Sequence, residues 1–242
     1  VLVWLGREQG VARVLPREWG MLMGLGFLGY YLASWLDMQG LNHISAQLER
    51  LTLYTYPIMT TVLGWWLLRE IITRRIVLAL LLTYGGIWFL YGQEAALGGS
   101  HVTLGMGLVL ASALSFACYV VFSKRLINRL GSALFTSVTM LAATLCVWSH
   151  FLLTHPLDSL GAITAPVWGY ALLLGGISTV LPSFMVSTAI GRIGVARTSI
   201  VGSAGPMLTI LLAVLWLGEP FGWAHLVGML LVMLGVGLLG KR

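Results

Sequence analysis

Apolar residues run on in stretches of the length a bilayer-spanning helix needs, roughly 20 positions, and this template fits the chain eight times. The expected spans are Trp19 to Met38, Ser45 to Leu68, Ile76 to Tyr91, Val102 to Phe122, Ala133 to Leu153, Val167 to Ile190, Val195 to Leu217 and Trp223 to Leu239. Gly, Pro, Asn and charged residues fall in the gaps. An outer-membrane barrel would instead alternate apolar and polar residues over strands of about ten, and no such alternation occurs. The pattern predicts an all-α polytopic membrane protein.

Polar positions between the spans carry the topology, because Lys and Arg near span ends mark the cytoplasmic side. Arg7, Arg13 and Arg17 precede the first span, Arg69, Arg74 and Arg75 follow the second, and Lys124, Arg125 and Arg129 follow the fourth. Arg192 and Arg197 flank the loop after the sixth, and Lys241 and Arg242 close the chain, whose C-terminus is therefore expected in the cytoplasm. Of the 14 basic residues only Arg50 falls on the other side.

Composition agrees: 58% of the 242 residues are hydrophobic and 9% charged, with a mean hydropathy of +0.92, which leaves too few polar side chains to cover a soluble core. The net charge of +6 comes from loop clusters rather than a basic face, so nucleic acid is excluded as a partner. Cys118 and Cys146 lie inside apolar stretches and read as small hydrophobes. The opening Val1 to Leu5 has no basic leader or cleavage site behind it and reads as cut rather than processed.

An internal repeat underlies the eight spans. Pro57 recurs as Pro206, an offset of 149 residues, and the same offset joins Glu70 to Glu219, Gly86 to Gly235, Ile44 to Ile193, Ser34 to Ser183 and Gly26 to Gly175. The halves divide as 1–95 and 96–242, with three expected helices in the first and five in the second. A five-helix repeat inverts its second copy, and the natural protein is expected to have ten spans, two of them before residue 1. Glu70 accordingly lies beside the cytoplasmic arginines while Glu219 falls in a loop opposite.

Ile44-Ser-Ala-Gln-Leu-Glu-Arg-Leu running into Tyr56-Pro57, the Leu-Leu-Arg-Glu70 helix end, and Gly205-Pro206 running to Leu217-Gly-Glu219 together resemble the EamA type of the drug/metabolite transporter superfamily. The resemblance implies a ten-helix inner-membrane carrier that exports amino acids, metabolites or drugs by alternating access. Inverted repeats are a device of secondary transporters, whose site lies near the midplane between the copies. No Gly-x-x-x-x-Gly-Lys-[Ser/Thr] loop is present to cradle a nucleotide, so an ion or substrate gradient is expected to drive transport. No cofactor is implied, and the expected partners are a small-molecule substrate and the lipid bilayer, with a coupling proton as a candidate.

Charges within a span usually face protein or a water-filled cavity, which singles out Glu49 and Arg50 in the second span. Helical spacing puts Arg50, Tyr54, Pro57, Thr61 and Gly64 on one face, and the repeat offset converts that stripe into Ser199, Ser203, Pro206, Ile210 and Ala213. These two stripes are expected to line the substrate pathway. Arg50 would pair a substrate carboxylate or Glu49, Tyr54, Ser199 and Ser203 would offer hydrogen bonds, and Glu49 is a candidate for the coupling proton. An adjacent Glu and Arg point about 100° apart on a helix, so one of them is alternatively a purely structural partner. Pro57 and Pro206 are expected to kink their helices, as hinges or as packing geometry.

Asp37 reads as an interfacial residue, with proton coupling as its alternative. His43, His101, His150, His155 and His225 lie in or beside noncytoplasmic loops, either as a pH-sensing cluster or as solvated loop residues. Two other function classes stand beside the carrier. An intramembrane enzyme would need a His-Glu-x-x-His, paired membrane aspartates or a Gly-x-Ser-x-Gly elbow, and none occurs. A noncatalytic assembly or signalling subunit needs no such signature.

Overall fold

The computed structural model describes residues 14–68, 73–98, 100–193, 198, 212, 214–216, 218 and 222–238. Every regular element among them is helical. In chain order these are α1 (Pro16–Gly26), a π-helical stretch (Phe27–Leu32), α2 (Ala33–Leu41), α3 (Ala46–Leu53), α4 (Tyr56–Leu68), α5 (Arg74–Gly98), α6 (Ser100–Leu130) and α7 (Ser132–Thr154). A short 3-10 turn (Leu157–Ala162), α8 (Ala165–Leu173), a second π-helical stretch (Leu174–Val180), α9 (Leu181–Ile193) and α10 (Trp223–Leu238) follow.

Four helical segments among the described residues are long and apolar enough to cross a membrane: Arg74–Gly92, His101–Leu130, Ser132–Thr154 and Ala165–Ile193. Trp223–Leu238 is apolar but shorter. The expected first and second spans are helical but interrupted, by the π-helical turns before Ala33 and by a break at Tyr54 and Thr55. The expected seventh span, with Ser199, Ser203 and Pro206, lies almost wholly outside the described residues.

The chain divides into two compact units, residues 1–31 with 122–194, and residues 32–121 with 195–242. In the first unit α1 packs on α7 at Gly26, where an added Cβ would meet the Ala142 Cβ at 2.7 Å and the Thr139 backbone. Leu22, Leu25, Phe135 and Val138 are buried in this unit. Gly131 takes φ 82° at the α6–α7 turn, a left-handed conformation that glycine adopts without Cβ strain. On the other side of α7, Thr188 of α9 donates to the Ser132 hydroxyl at 3.2 Å.

One ion pair ties α1 to the end of α6. The buried Glu18 accepts from the Leu15 backbone N–H at 2.9 Å through one oxygen, sealing an otherwise open helix start, and holds Arg129 with the other. Arg129 remains partly in water, and Glu18 keeps the Leu15 N–H when Arg129 is removed, so the cation is worth less than the carboxylate, which also caps the helix. Glu18→Ala is therefore expected to cost roughly 2 kcal/mol and Arg129→Ala about 1. Thermal unfolding in detergent reads the difference, and equal losses would remove the capping role.

The second unit has an apolar centre of Ile44, Leu48, Leu51, Ile87, Leu90, Val109, Val232 and Val236. Its α5 and α10 approach closely. A Cβ added to Gly86 would meet the Gly228 carbonyl at 2.7 Å and Val232 at 3.3 Å, and one added to Gly235 would meet the Ala79 carbonyl at 2.7 Å and the Thr83 N at 2.9 Å. Gly86 and Gly235, Ala79 and Gly228, and Thr83 and Val232 are each separated by the repeat offset of 149. The neighbours of one glycine thus lie 149 residues from the neighbours of the other. Such exchanged contacts between antiparallel helices are what a local two-fold axis produces. The same offset joins the first residues of α1 and α8 (Pro16, Ala165) and of α5 and α10 (Arg74, Trp223).

Candidate functional site

Ser45 opens the site by capping α3: its hydroxyl accepts from the Leu48 N–H at 3.1 Å and its carbonyl from the Glu49 N–H at 2.9 Å. That start places Glu49 in the first turn of an eight-residue helix and Arg50 in its last, the order that suits the helix dipole at both ends. The Arg50 Nε stands 3.0 Å from a Glu49 carboxylate oxygen, with the Glu49 side chain 1% and the Arg50 side chain 37% exposed. The two adjacent charges are therefore paired although their Cβ directions diverge. The carboxylate is sealed inside, and the guanidinium reaches toward open space.

Immediately after this pair the helix breaks. Thr55 turns its N–H to the Thr52 carbonyl at 3.0 Å and adds its hydroxyl to the same oxygen at 2.8 Å, while its own carbonyl takes the Ile58 and Met59 N–H groups. Pro57 then sits in the first turn of α4, where the donor it lacks would have had no intrahelical partner. The expected kink at Pro57 is thus a break just before it. The Pro57 carbonyl is held by the Thr60 and Thr61 hydroxyls at 2.7 and 2.9 Å. Thr61 commits its proton to the backbone as a result.

The break alters the expected stripe. Arg50 and Tyr54 belong to the end of α3, and Pro57 and Thr61 to a separate helix, so no single helical face carries all four. Arg50, Glu49 and Tyr54 do come together: the Tyr54 N–H donates to the Arg50 carbonyl at 3.1 Å, and Arg50 pairs with Glu49. Ser199, Ser203 and Pro206 lie outside the described residues.

An aromatic wall that the sequence reasoning missed begins here. Tyr54 and Tyr56 have ring centroids 6.2 Å apart, Tyr56 meets Phe116 edge-on at 5.2 Å, and Phe116 lies 5.6 Å from Tyr119. Tyr54-x-Tyr56 beside a proline and Phe116-x-x-Tyr119 at helical spacing were visible, but aromatic pairs inside spans have packing as their ordinary role. Among the described residues no cluster of three metal-ligating side chains forms. The site's chemistry is that of recognition: one half-exposed cation, a sealed anion and a phenol at an interrupted helix, flanked by aromatic faces.

Residues 1–92 and 103–240 match the EamA-like transporter family. The chain is 29% identical over 218 residues to the "Uncharacterized transporter YcbK" of Bacillus subtilis, covering 85% of this chain and 67% of that protein. It is 26% identical over 199 residues to the "Probable amino-acid metabolite efflux pump" of Salmonella typhimurium, covering 79% of this chain and 66% of that one. It thus spans about two thirds of the length of these relatives. A solved structure described as "Crystal structure of protein" shares the fold with a TM-score of 0.66 at 19% identity, over 98% of this chain and 81% of that one. The chain belongs to the EamA-like transporter family, as a multi-pass membrane transporter and not an enzyme.

Proposed function

We propose that this protein is a secondary transporter of the plasma (inner) membrane that exports small metabolites, amino acids or drugs by alternating access, with its C-terminus in the cytoplasm. The observation that carries the reading is the pairing of a buried Glu49 with a half-exposed Arg50 just before the break between α3 and α4. Interrupted membrane helices with charges at the break are how such carriers build a solute site in the bilayer. Arg50 takes a substrate carboxylate, Tyr54 gives a hydrogen bond, and Pro57 with Thr61 shape the wall. Ser199, Ser203 and Pro206 supply the matching side from the second repeat.

Two inverted repeats, 1–95 and 96–242, arrange eight spans as three and five of a ten-helix fold. The reciprocal Gly86–Gly228 and Ala79–Gly235 contacts support that arrangement, as do the helix starts that recur at the same offset. The efflux pump named above favours an amino-acid-like cargo. Transport draws on an ion or solute gradient.

Cells expressing the natural protein are loaded with labelled amino acids and, separately, with cationic drugs, and efflux is timed. Faster efflux of at least one solute, lost in Arg50→Ala, is the expected result. Efflux that matches vector controls for every solute would overturn the proposal.

A further inference from the structure

Asp37 occupies a position that the pathway described above does not use. Ala33, Asp37 and Gly40 are spaced to share one face of α2, and both flanking residues are pressed against α6. The Ser112 hydroxyl donates to the Ala33 carbonyl at 2.7 Å. A Cβ on Gly40 would meet the Gly105 carbonyl at 3.0 Å and Val109 closer still. Between these contacts Asp37 is half-buried, with its Oδ1 cut off from water and without a hydrogen-bond partner. A carboxylate oxygen desolvated without a partner is costly, and more so within a membrane span.

The groups facing this seam are few. Two histidines stand at its outer end: His43 N–H bonds back to the Gly40 carbonyl at 2.9 Å, and its ring stacks on His101 with centroids 6.0 Å apart and planes 11° from parallel. His101 is exposed and His43 half-buried. Gly105, one turn beyond His101, lets the His43 backbone approach, since a Cβ there would lie 2.7 Å from the His43 Cβ. On α3 the charged groups are Glu49 and Arg50, which pair with each other, and in the last third of α5 Tyr91 is hydrogen-bonded to Thr103 at 2.6 Å. His43 is six residues from Asp37, about 9 Å along the chain at helical rise, so a proton passing between them travels through intervening water.

We propose that Asp37 is the proton-binding carboxyl of this transporter, and that the stacked His43 and His101 pass protons between outside water and it. Proton uptake converts the Asp37 carboxylate to a carboxylic acid, and release returns the proton to imidazole nitrogen and then to water. Protonating Glu49 instead would cost its contact with Arg50, whereas protonating Asp37 breaks no ion pair. The coupling of this proton to solute movement rests on the transport reading given above. With one proton moved per solute, a gradient of one pH unit sustains about a tenfold solute gradient.

The test uses the full protein in lipid nanodiscs, with protons as the probe, followed by pH-difference infrared spectroscopy. A carbonyl stretch of a protonated carboxylic acid that appears as pH falls is expected in the wild type and in Glu49→Gln, and its absence is expected in Asp37→Asn. Asp37→Glu, which keeps the carboxyl, should shift that band rather than remove it. This second variant decides the matter if Asp37→Asn fails to fold. Replacing both histidines with phenylalanine keeps the ring contact, and should slow the band's appearance after a pH jump by roughly a hundredfold without changing its final amplitude. A wild-type spectrum with no titrating carboxylic acid, a band that survives Asp37→Asn or is unmoved by Asp37→Glu, or one that vanishes in Glu49→Gln overturns the assignment. An unchanged rate in the double phenylalanine variant overturns the histidine route. Failure of the solute screen with an intact Asp37 band would sink transport alone, so the two readings fall separately.

Discussion

Arg50→Ala is expected to abolish solute efflux and to destabilise the protein by about 3 kcal/mol. The two effects have separate origins. Stability falls because Glu49, only 1% exposed, is left without the cation that stands 3.0 Å from it. Removing one partner of a buried pair costs more than the pair is worth, because the surviving charge stays desolvated. Arg50 keeps partial contact with its surroundings at 37% exposure, which holds the expected loss at the lower end of such cases. Efflux is expected to fall because, in the proposed function, the half-exposed guanidinium is the group that takes the substrate carboxylate. Adding Glu49→Gln to Arg50→Ala should recover most of the stability, read as the unfolding midpoint in detergent, and none of the efflux. A double variant as unstable as the single one would show that the buried carboxylate is not the source of the loss.

Gly235→Leu is expected to destabilise by about 3 kcal/mol, because inserting a large side chain into a tight contact forces displacement. The obstruction is the Thr83 hydroxyl together with backbone, the Ala79 carbonyl at 2.7 Å and the Thr83 N at 2.9 Å, so turning one side chain does not relieve it. Gly86→Leu faces the equivalent obstacle at Gly228 and should cost a similar amount. Gly85→Leu is the control: it is exposed, nothing lies within 4 Å of its added Cβ, and leucine is the better helix former, so it should gain up to about 1 kcal/mol. Unfolding midpoints for the three variants separate contact from propensity. A Gly235→Leu midpoint equal to that of Gly85→Leu would mean that the α5–α10 approach is looser than described.

Much of the fold is written in hydropathy, because a helix that crosses lipid needs a long, mostly apolar run, and so α7 begins and ends within one residue of its expected span. Interruptions are harder to read. Nothing in Phe27–Leu32 or Leu174–Val180 marks a π-helical turn, since that geometry arises from accommodating one extra residue between packed neighbours. The break at Tyr54 and Thr55 left only Pro57 as its trace, and proline fits the first turn of a helix as well as a kink. Charge was legible at the candidate site: Glu49 and Arg50 stand out because ions inside spans are rare. Their pairing and the aromatic wall to Tyr119 depend on side-chain directions and on a distant helix. Asp37 reads from the sequence as interfacial because a residue near a span end is ordinarily wetted, and only the glycine contacts of Gly40 and Gly105 show how tightly its helix is pressed.

The two π-helical stretches begin 147 residues apart, at Phe27 and Leu174, close to the repeat offset. Each precedes a helix of similar placement in its half, α2 and α9. If the halves descend from one gene segment, that irregularity is older than the duplication and has been inherited twice. Its persistence through so much divergence would make it ancestral architecture, and deleting one residue from either stretch would reveal whether the descendants still require it.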